Sequence, residues 1–94
     1  MHRFVIERDL PGVGGSSTAQ LNEVRQASNA VLHDMGPGIQ WVESFVTTDR
    51  IYCVYLAENE QMAREHATRA GLPATKVSQV KHVVDSLTAT PQDL

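Results

Sequence analysis

The 94-residue chain has room for one domain with one modest core, since a chain of this size buries roughly 60 to 70% of its unfolded surface. Its 41% hydrophobic and 20% charged residues are typical of an ordinary globular protein. The formal net charge of -3 and the scattered positions of the eight lysine and arginine residues argue against a nucleic-acid-binding surface, which usually carries a clustered basic stripe. We therefore expect no nucleic-acid partner.

The beginning of the sequence, MHRFVIERDLPG, holds too short an apolar run for a signal peptide or a membrane span. The single cysteine, Cys53, cannot form an internal disulfide, and its bulky neighbours Tyr52 and Val54 favour a small, buried strand residue. We predict a cytoplasmic protein with no membrane partner.

The first predicted strand is HRFVIER, residues 2–8. Its alternation puts Phe4 and Ile6 on one face of the strand and Glu7 on the other. The following segment, GVGGSST, lacks the lysine of a Walker A loop and the glycine spacing of a dinucleotide fingerprint. We therefore expect a plain flexible loop here rather than a phosphate-binding loop.

A helix is predicted next, because Ser17 and Gln20 have the spacing of a capping box. Gly36 suits the left-handed conformation that ends a helix, and Pro37 prevents its continuation. The apolar period predicts a buried stripe made of Leu21, Val24, Ser28, Val31, Leu32 and Met35.

Two strands follow as a hairpin, GIQWVESFVT and RIYCVYLAE, which turns at Thr48 and Asp49. The hairpin holds four of the five aromatic residues of the chain. Aromatic residues favour strands, so we expect this hairpin to supply the centre of a sheet.

A second helix is predicted from a cap at Asn59 to Ala70, and the segment KVSQVKHVVDS, residues 76–86, is predicted to be the last strand. We assign residues 1–89 to a single domain and residues 90–94 to a C-terminal tail.

The order strand, helix, strand, strand, helix, strand predicts an α+β fold, the ferredoxin-like βαββαβ sandwich. In this fold both helices cover one face of a four-stranded antiparallel sheet. The other face would expose more aliphatic and aromatic area than monomers usually tolerate. We therefore expect a homodimer in which two sheets pack face to face.

Glu7 and Glu43 are the first candidates for a metal site, because a carboxylate within an apolar strand must be solvated, paired or ligated. If both point away from the helices, they line the interior of the dimer, where they would suit a divalent metal or an acid and base pair. The alternative is a set of cross-strand ion pairs: Glu7 with Arg3 or Arg8, and Glu43 with Lys81 or Arg50.

Two histidines complete the candidate metal ligands, His66 on the inner side of the second helix and His82 within the last strand. Ordinary packing is the alternative for both, with His66 bonded to a backbone carbonyl or to Ser44. The sequence has no close pair of cysteines or histidines of the kind that structural zinc sites use.

Three aromatic residues are candidates to contact a bound small molecule: Trp41, Tyr52 and Tyr55. Alternation places the two tyrosines on opposite faces of their strand, so at least one hydroxyl needs a partner in the core or in the channel of the dimer. The alternative for Trp41 is a purely structural role in packing.

The blocks RFVIERDLPG, GIQWVES, YCVY and EHA resemble the small bacterial family catalogued as domain of unknown function 4242, over nearly the whole chain. This resemblance implies a ferredoxin-like dimer with nickel or another divalent metal held in a central channel. It does not assign ligand roles to the matching residues, which are Glu7, Arg8, Asp9, Trp41, Glu43, Ser44, Glu65 and His66.

Three functions remain as hypotheses. We favour a non-enzymatic homodimer that binds a divalent metal, nickel first, in the channel between the sheets. The second is a small dimeric α/β-barrel enzyme, of monooxygenase or isomerase type, acting on an apolar ligand beneath Trp41 and Tyr55. The third is a regulatory or protein-interaction module.

Overall fold

Four antiparallel strands form one sheet, and two helices cover one of its faces, in a computed structural model that describes residues 1–86. The elements are β1 (His2–Asp9), α1 (Thr18–Met35), β2 (Ile39–Val46), β3 (Arg50–Ala57), α2 (Glu60–Ala70) and β4 (Lys76–Gln79). The predicted ferredoxin-like α+β fold is confirmed. The predicted domain end at residue 89 and the tail of residues 90–94 lie outside the described residues.

The strand order is β2, β3, β1, β4, so β1 and β3 are the two central strands. The prediction that the whole hairpin forms the centre is therefore wrong for β2, which is an edge strand. Both central strands alternate strictly, and the residues that they bury face the helices: Phe4, Ile6, Arg8, Ile51, Cys53, Tyr55 and Ala57.

A β-bulge interrupts the pairing of β2 with β3. Trp41 lies opposite Tyr55, and the next paired residue of β2 is Glu43, opposite Val54, so Val42 has no partner in the ladder. Strict alternation would place Trp41 and Glu43 on the same face, but the extra residue reverses the alternation. Trp41 therefore faces the helices, whereas Glu43 faces away from them.

The last strand is shorter than predicted, because β4 ends at Gln79 rather than at Ser86. Its antiparallel partner β1 explains the difference. Gln79 lies opposite Phe4, the Val80 amide donates to the Arg3 carbonyl at 2.8 Å, and β1 begins at His2. Beyond residue 81 no strand residue is left to pair with, so His82 is not within a strand.

The two helices begin at the predicted caps. Ser17 Oγ accepts from the Gln20 amide at 3.1 Å, Gln20 Oε1 accepts from the Ser17 amide at 2.9 Å, and Asn59 caps α2. The two helices differ in how closely they pack on the sheet. Helix α2 buries three residues, whereas α1 buries only Ser28 and leaves Val24 exposed. The first half of α1 therefore stands away from the sheet.

The glycine-rich segment forms a compact 3₁₀ turn, Val13–Gly15, and not an irregular loop. The Gly14 amide donates to the Thr48 carbonyl at 2.9 Å, which joins the turn to the β2–β3 hairpin. A Cβ at Gly14 would lie 2.7 Å from the Thr47 oxygen and from the Thr48 Cα, so only glycine fits there. A Cβ at Gly15 would meet nothing within 4 Å.

We expect Gly14→Ala to lower the free energy of unfolding by about 1 to 3 kcal/mol, because backbone atoms must move to admit the methyl group. Gly15→Ala is the matched control, and we expect a change within about 0.5 kcal/mol. Urea unfolding of both variants measures the difference. Equal stabilities would show that the turn does not pack tightly against the hairpin.

Candidate sites on the two faces of the sheet

The side of the sheet that the helices do not cover, called the open face here, mixes charged and apolar side chains. The strand registers place on it Arg3, Val5, Glu7, Gln40, Glu43, Phe45, Tyr52, Val54, Leu56, Lys76 and Ser78. Phe45 is 53% exposed, which is unusual for a phenylalanine in a strand. The face thus offers both apolar contact area and carboxylates.

Glu7 is paired on this face, but with a partner that the sequence analysis did not name for it. Arg50 Nη1 lies 3.2 Å from Glu7 Oε1, and Arg50 Nε lies 2.7 Å from Asp9 Oδ1. A hydrogen bond with Tyr52, followed by the charge of Asp9, raises the pKa of the Arg50 guanidinium. Arg50 therefore stays charged and holds two carboxylates, whereas Glu43 is exposed and forms no ion pair within residues 1–86.

Glu7 and Glu43 share the open face but lie on opposite sides of β3 within a single subunit. Glu7 lies opposite Tyr52 on one side of β3, and Glu43 lies opposite Val54 on the other side. Two strand spacings across and two residues along correspond to roughly 12 Å between their Cα atoms. No group of three or more metal-ligating residues assembles anywhere in the described part of the chain. One subunit alone therefore does not fit a complete metal site.

The two predicted histidine ligands do not join the glutamates. His66 is buried on the helix side of the sheet, where its Nε2 lies 3.2 Å from the Ser28 carbonyl oxygen, so the contact with a backbone carbonyl is confirmed. His82 follows the end of β4 and is exposed. The sheet itself separates His66 from Glu7 and Glu43 within one subunit.

A cavity of about 260 Å³ lies on the helix side, between α1 and the sheet. Trp41 and Tyr55, opposite each other on β2 and β3, both line it. The indole N–H of Trp41 donates to Ser44 Oγ at 2.9 Å. Tyr52 lies on the open face instead, so the structure brings together only two of the three predicted aromatic residues.

Arg8 also lines this cavity, and the sequence analysis did not single it out for the helix side. The side chain is 0% exposed. Its Nη1 donates to the Pro73 carbonyl at 2.7 Å, its Nη2 contacts the Tyr55 hydroxyl at 3.5 Å, and its Nε contacts Cys53 Sγ at 3.4 Å. The sequence indicates that Arg8 lies on the helix side, because Arg8 follows Phe4 and Ile6 at the two-residue spacing of one strand face.

Burial is the main cause of the pKa shifts of Tyr55 and His66, which lie near Arg8. Burial, followed by the electrostatic effect of Cys53, raises the pKa of Tyr55 to about 12, although Arg8 opposes this change. Burial, and then the charge of Arg8, lowers the pKa of His66, while the hydrogen bond to Ser28 opposes that change. The two rings lie 5.1 Å apart. At neutral pH, Tyr55 and His66 are therefore uncharged beside a charged guanidinium.

The sheet and its two faces define a small ferredoxin-like α+β protein with an open face that carries both signs of charge and a cavity on the helix side. The chain belongs to the family described as Nickel responsive protein SCO4226-like, whose family model matches residues 4–80. The resemblance noted from the sequence is confirmed at this level, and its assignment to domain of unknown function 4242 stays a prediction.

Among solved structures, the chain resembles the crystal structure of SCO4226 from Streptomyces coelicolor A3(2), with a TM-score of 0.74 and 21% sequence identity. The match covers 87% of this chain and 99% of the other chain. At this identity the likeness shows the fold alone. No curated protein matches the sequence, and within residues 1–86 no helix is long and apolar enough to cross a membrane.

We expect His66 to make the protein less stable in mild acid. Its pKa is lower in the folded state than the value of about 6.5 in the unfolded chain. The unfolded state therefore binds more protons below that pH, and stability falls by up to about 1.4 kcal/mol per pH unit as pH decreases from 6.5 to the folded-state pKa.

His66→Gln keeps an N–H donor for the Ser28 carbonyl but cannot become charged. Urea unfolding between pH 7.5 and 5 should show a flatter pH dependence for this variant than for the wild type. His33→Gln, at an exposed position of α1, is the matched control and should follow the wild-type curve. Parallel curves for His66→Gln and the wild type would show that His66 does not cause the loss of stability in acid.

Proposed function

We propose that the protein is a homodimer that binds a divalent metal, nickel first, between the open faces of its two subunits. The observation that carries this proposal is the position of Glu7 and Glu43 on one uncovered sheet face. Membership of a family described as nickel responsive supports the choice of metal. The proposed role is binding, with no catalytic step.

A second copy of the chain is the occupant that best suits the open face. Apolar residues lie at its centre on β1 and β3, where Val5 is paired with Val54, and the edge strand adds Phe45. Sheets that pack face to face lie about 10 Å apart, with interdigitating side chains from both. A two-fold interface brings the same patch of both subunits together, and this patch carries both signs of charge, including Arg3 and Glu43.

The dimer also supports metal binding, because the described residues of one subunit bring no third metal-ligating side chain to Glu7 and Glu43. A facing copy doubles the number of carboxylates within the channel. Carboxylate oxygens suit hard divalent cations in octahedral geometry, and they do not by themselves select nickel. The preference for nickel in this proposal comes from the family description alone.

Arg50 affects the proposed metal binding, because it forms ion pairs with Glu7 and Asp9 in the structure. A metal ion that binds Glu7 must displace the guanidinium from that carboxylate. Binding of the cation is therefore a competition between two positive charges for one carboxylate. Removal of Arg50 should favour the metal.

We expect tag-free protein to bind nickel saturably in calorimetry, and the double variant Glu7→Gln with Glu43→Gln to bind at least tenfold more weakly. Arg50→Gln should bind about two- to fivefold more tightly, since Glu7 loses its competing partner. Glu65→Gln is the matched control, because this glutamate lies exposed on α2 and pairs only with Arg69 within residues 1–86.

Sedimentation of the same samples tests the dimer. A monomer at concentrations that saturate with nickel would overturn the proposal, and so would unchanged affinity in the double variant. Self-association with no metal binding would instead favour the interaction-module alternative.

The enzyme alternative rests on the helix-side cavity, which Trp41 and Tyr55 line as that hypothesis required. Among the described residues that line the cavity there is no carboxylate and no histidine, the groups that most often transfer protons in catalysis. We therefore keep a binding role for this cavity and assign it no reaction.

A further inference from the structure

Arg8 carries a buried positive charge that has no negatively charged partner among the described residues. No carboxylate of residues 1–86 lies within ion-pair distance of its guanidinium. Its contacts are with a carbonyl, a hydroxyl and a thiol, and the contact with the hydroxyl is long, at 3.5 Å. Burial of an unpaired charge is strongly unfavourable, so the site has a physical reason to attract an anion.

The guanidinium also has the donors that an anion would need. Arginine presents five N–H groups, and only three of them have partners in the described part of the chain. Arginine binds carboxylates through two parallel N–H donors, in a geometry that a planar carboxylate matches. The side chain lines the cavity beneath α1 but is fully buried, so a carboxylate in that cavity reaches these donors once neighbouring side chains move aside.

The rest of the cavity is largely apolar. Its apolar lining consists of Leu21, Val24, Trp41, Val46, Ile51, Tyr55 and Leu72. The volume of about 260 Å³ lies just below the range of roughly 300 to 1,000 Å³ of pockets that hold drug-sized ligands. The cavity therefore suits a small molecule with an apolar body.

The charge of the cavity is opposite to that of the whole protein. Arg25 on α1 is a second cation that lines it, exposed and without an ion pair in residues 1–86. No acidic side chain is among the described lining residues, although the chain has a net charge of -3. A concave site lined by one sign of charge concentrates ligands of the other sign.

We infer that this cavity binds a small monocarboxylate with an apolar body, such as a medium-chain fatty acid, and that its carboxylate pairs with Arg8. A single negative charge matches Arg8, the one buried lysine or arginine of residues 1–86. A phosphate ester would bring up to two charges, and Arg25, the second cation that lines the cavity, is exposed and would compensate the second charge only weakly. The site lies on the helix side of the sheet, so it is independent of the metal proposed for the open face.

Octanoate and 1-octanol are suitable probes, because they share an apolar chain and only octanoate is charged. Trp41 is the only tryptophan and lines the cavity, so its fluorescence reports binding. We expect saturable binding of octanoate to the full chain, at least tenfold tighter than that of octanol, with calorimetry as the second readout.

Three variants test the role of the arginines. Arg8→Met keeps a long side chain without the charge and should reduce the affinity for octanoate to that for octanol. Arg25→Gln should weaken octanoate binding about two- to fivefold without affecting octanol. Arg69→Gln is the matched control, because it removes an exposed arginine of α2 outside the cavity, and it should bind both probes as the wild type does.

Equal affinities of the wild type for octanoate and octanol would overturn the inference, and so would an unchanged preference in Arg8→Met. If Arg8→Met fails to fold by circular dichroism, the Arg25→Gln comparison decides: an unaltered preference for octanoate contradicts the inference. Octyl phosphate that binds as tightly as octanoate would also contradict it. The Glu7→Gln, Glu43→Gln variant should bind octanoate normally, so failure of the metal proposal remains distinguishable.

Discussion

The β-bulge at Val42 sends Trp41 to the helix side of the sheet and Glu43 to the open face. Without this extra residue, the two side chains would share a face, and Glu43 would lie beneath α1 in the apolar cavity. On β1, plain alternation separates two adjacent charges in the same way, with Glu7 on the open face and Arg8 on the helix side. The sheet therefore keeps its carboxylates and its buried arginine apart, and each face has its own chemistry.

The helix-side cavity exists because α1 does not pack closely on the sheet. Ser28 is the only residue that α1 buries, whereas α2 places Ala63 and Ala67 directly against the core. Unfilled apolar volume reduces stability, and so does a buried charge such as that of Arg8, which has no ionic partner within residues 1–86. Binding sites often contain such destabilising features, because their residues are selected for binding and not for stability. A ligand that fills the cavity would stabilise the fold in proportion to its occupancy.

The order of the elements could be read from the sequence because the signals are local. The capping box of Ser17 and the cap at Asn59 each depend on a few neighbouring residues, and each is present in the structure. Helix α1 also ends just before Gly36, but Gly36 has φ 80° and ψ -165° instead of the predicted left-handed helical conformation. The length of β4 could not be read in this way. The length of β4 depends on where its partner strand β1 begins. The apolar run around His82 does not indicate by itself whether a partner strand extends that far.

The candidate sites were harder to predict than the fold for the same reason. The bulge at Val42 has no sequence signature here, so the face of Glu43 could not be derived from alternation. The spacing of Arg8 from Ile6 indicates the buried face, but the sequence analysis named Arg8 only as a possible partner of Glu7, and arginine is rarely buried without an ionic partner. His66 was placed on the inner face correctly, and only the structure shows the sheet between it and Glu7.

The hairpin turn connects the glycine-rich segment to the open face. The Leu10 amide donates to the Asp49 carbonyl at 3.0 Å, and the Gly12 amide donates to Asp49 Oδ1 at 2.9 Å, so the segment before α1 holds the turn from one side. Arg50 follows directly and contacts both Glu7 and Asp9. The ion pair with Glu7 is partly exposed, and pairs of this kind contribute little to stability. A divalent cation can therefore compete for Glu7, and the packing that fixes Arg50 also determines how available that carboxylate is.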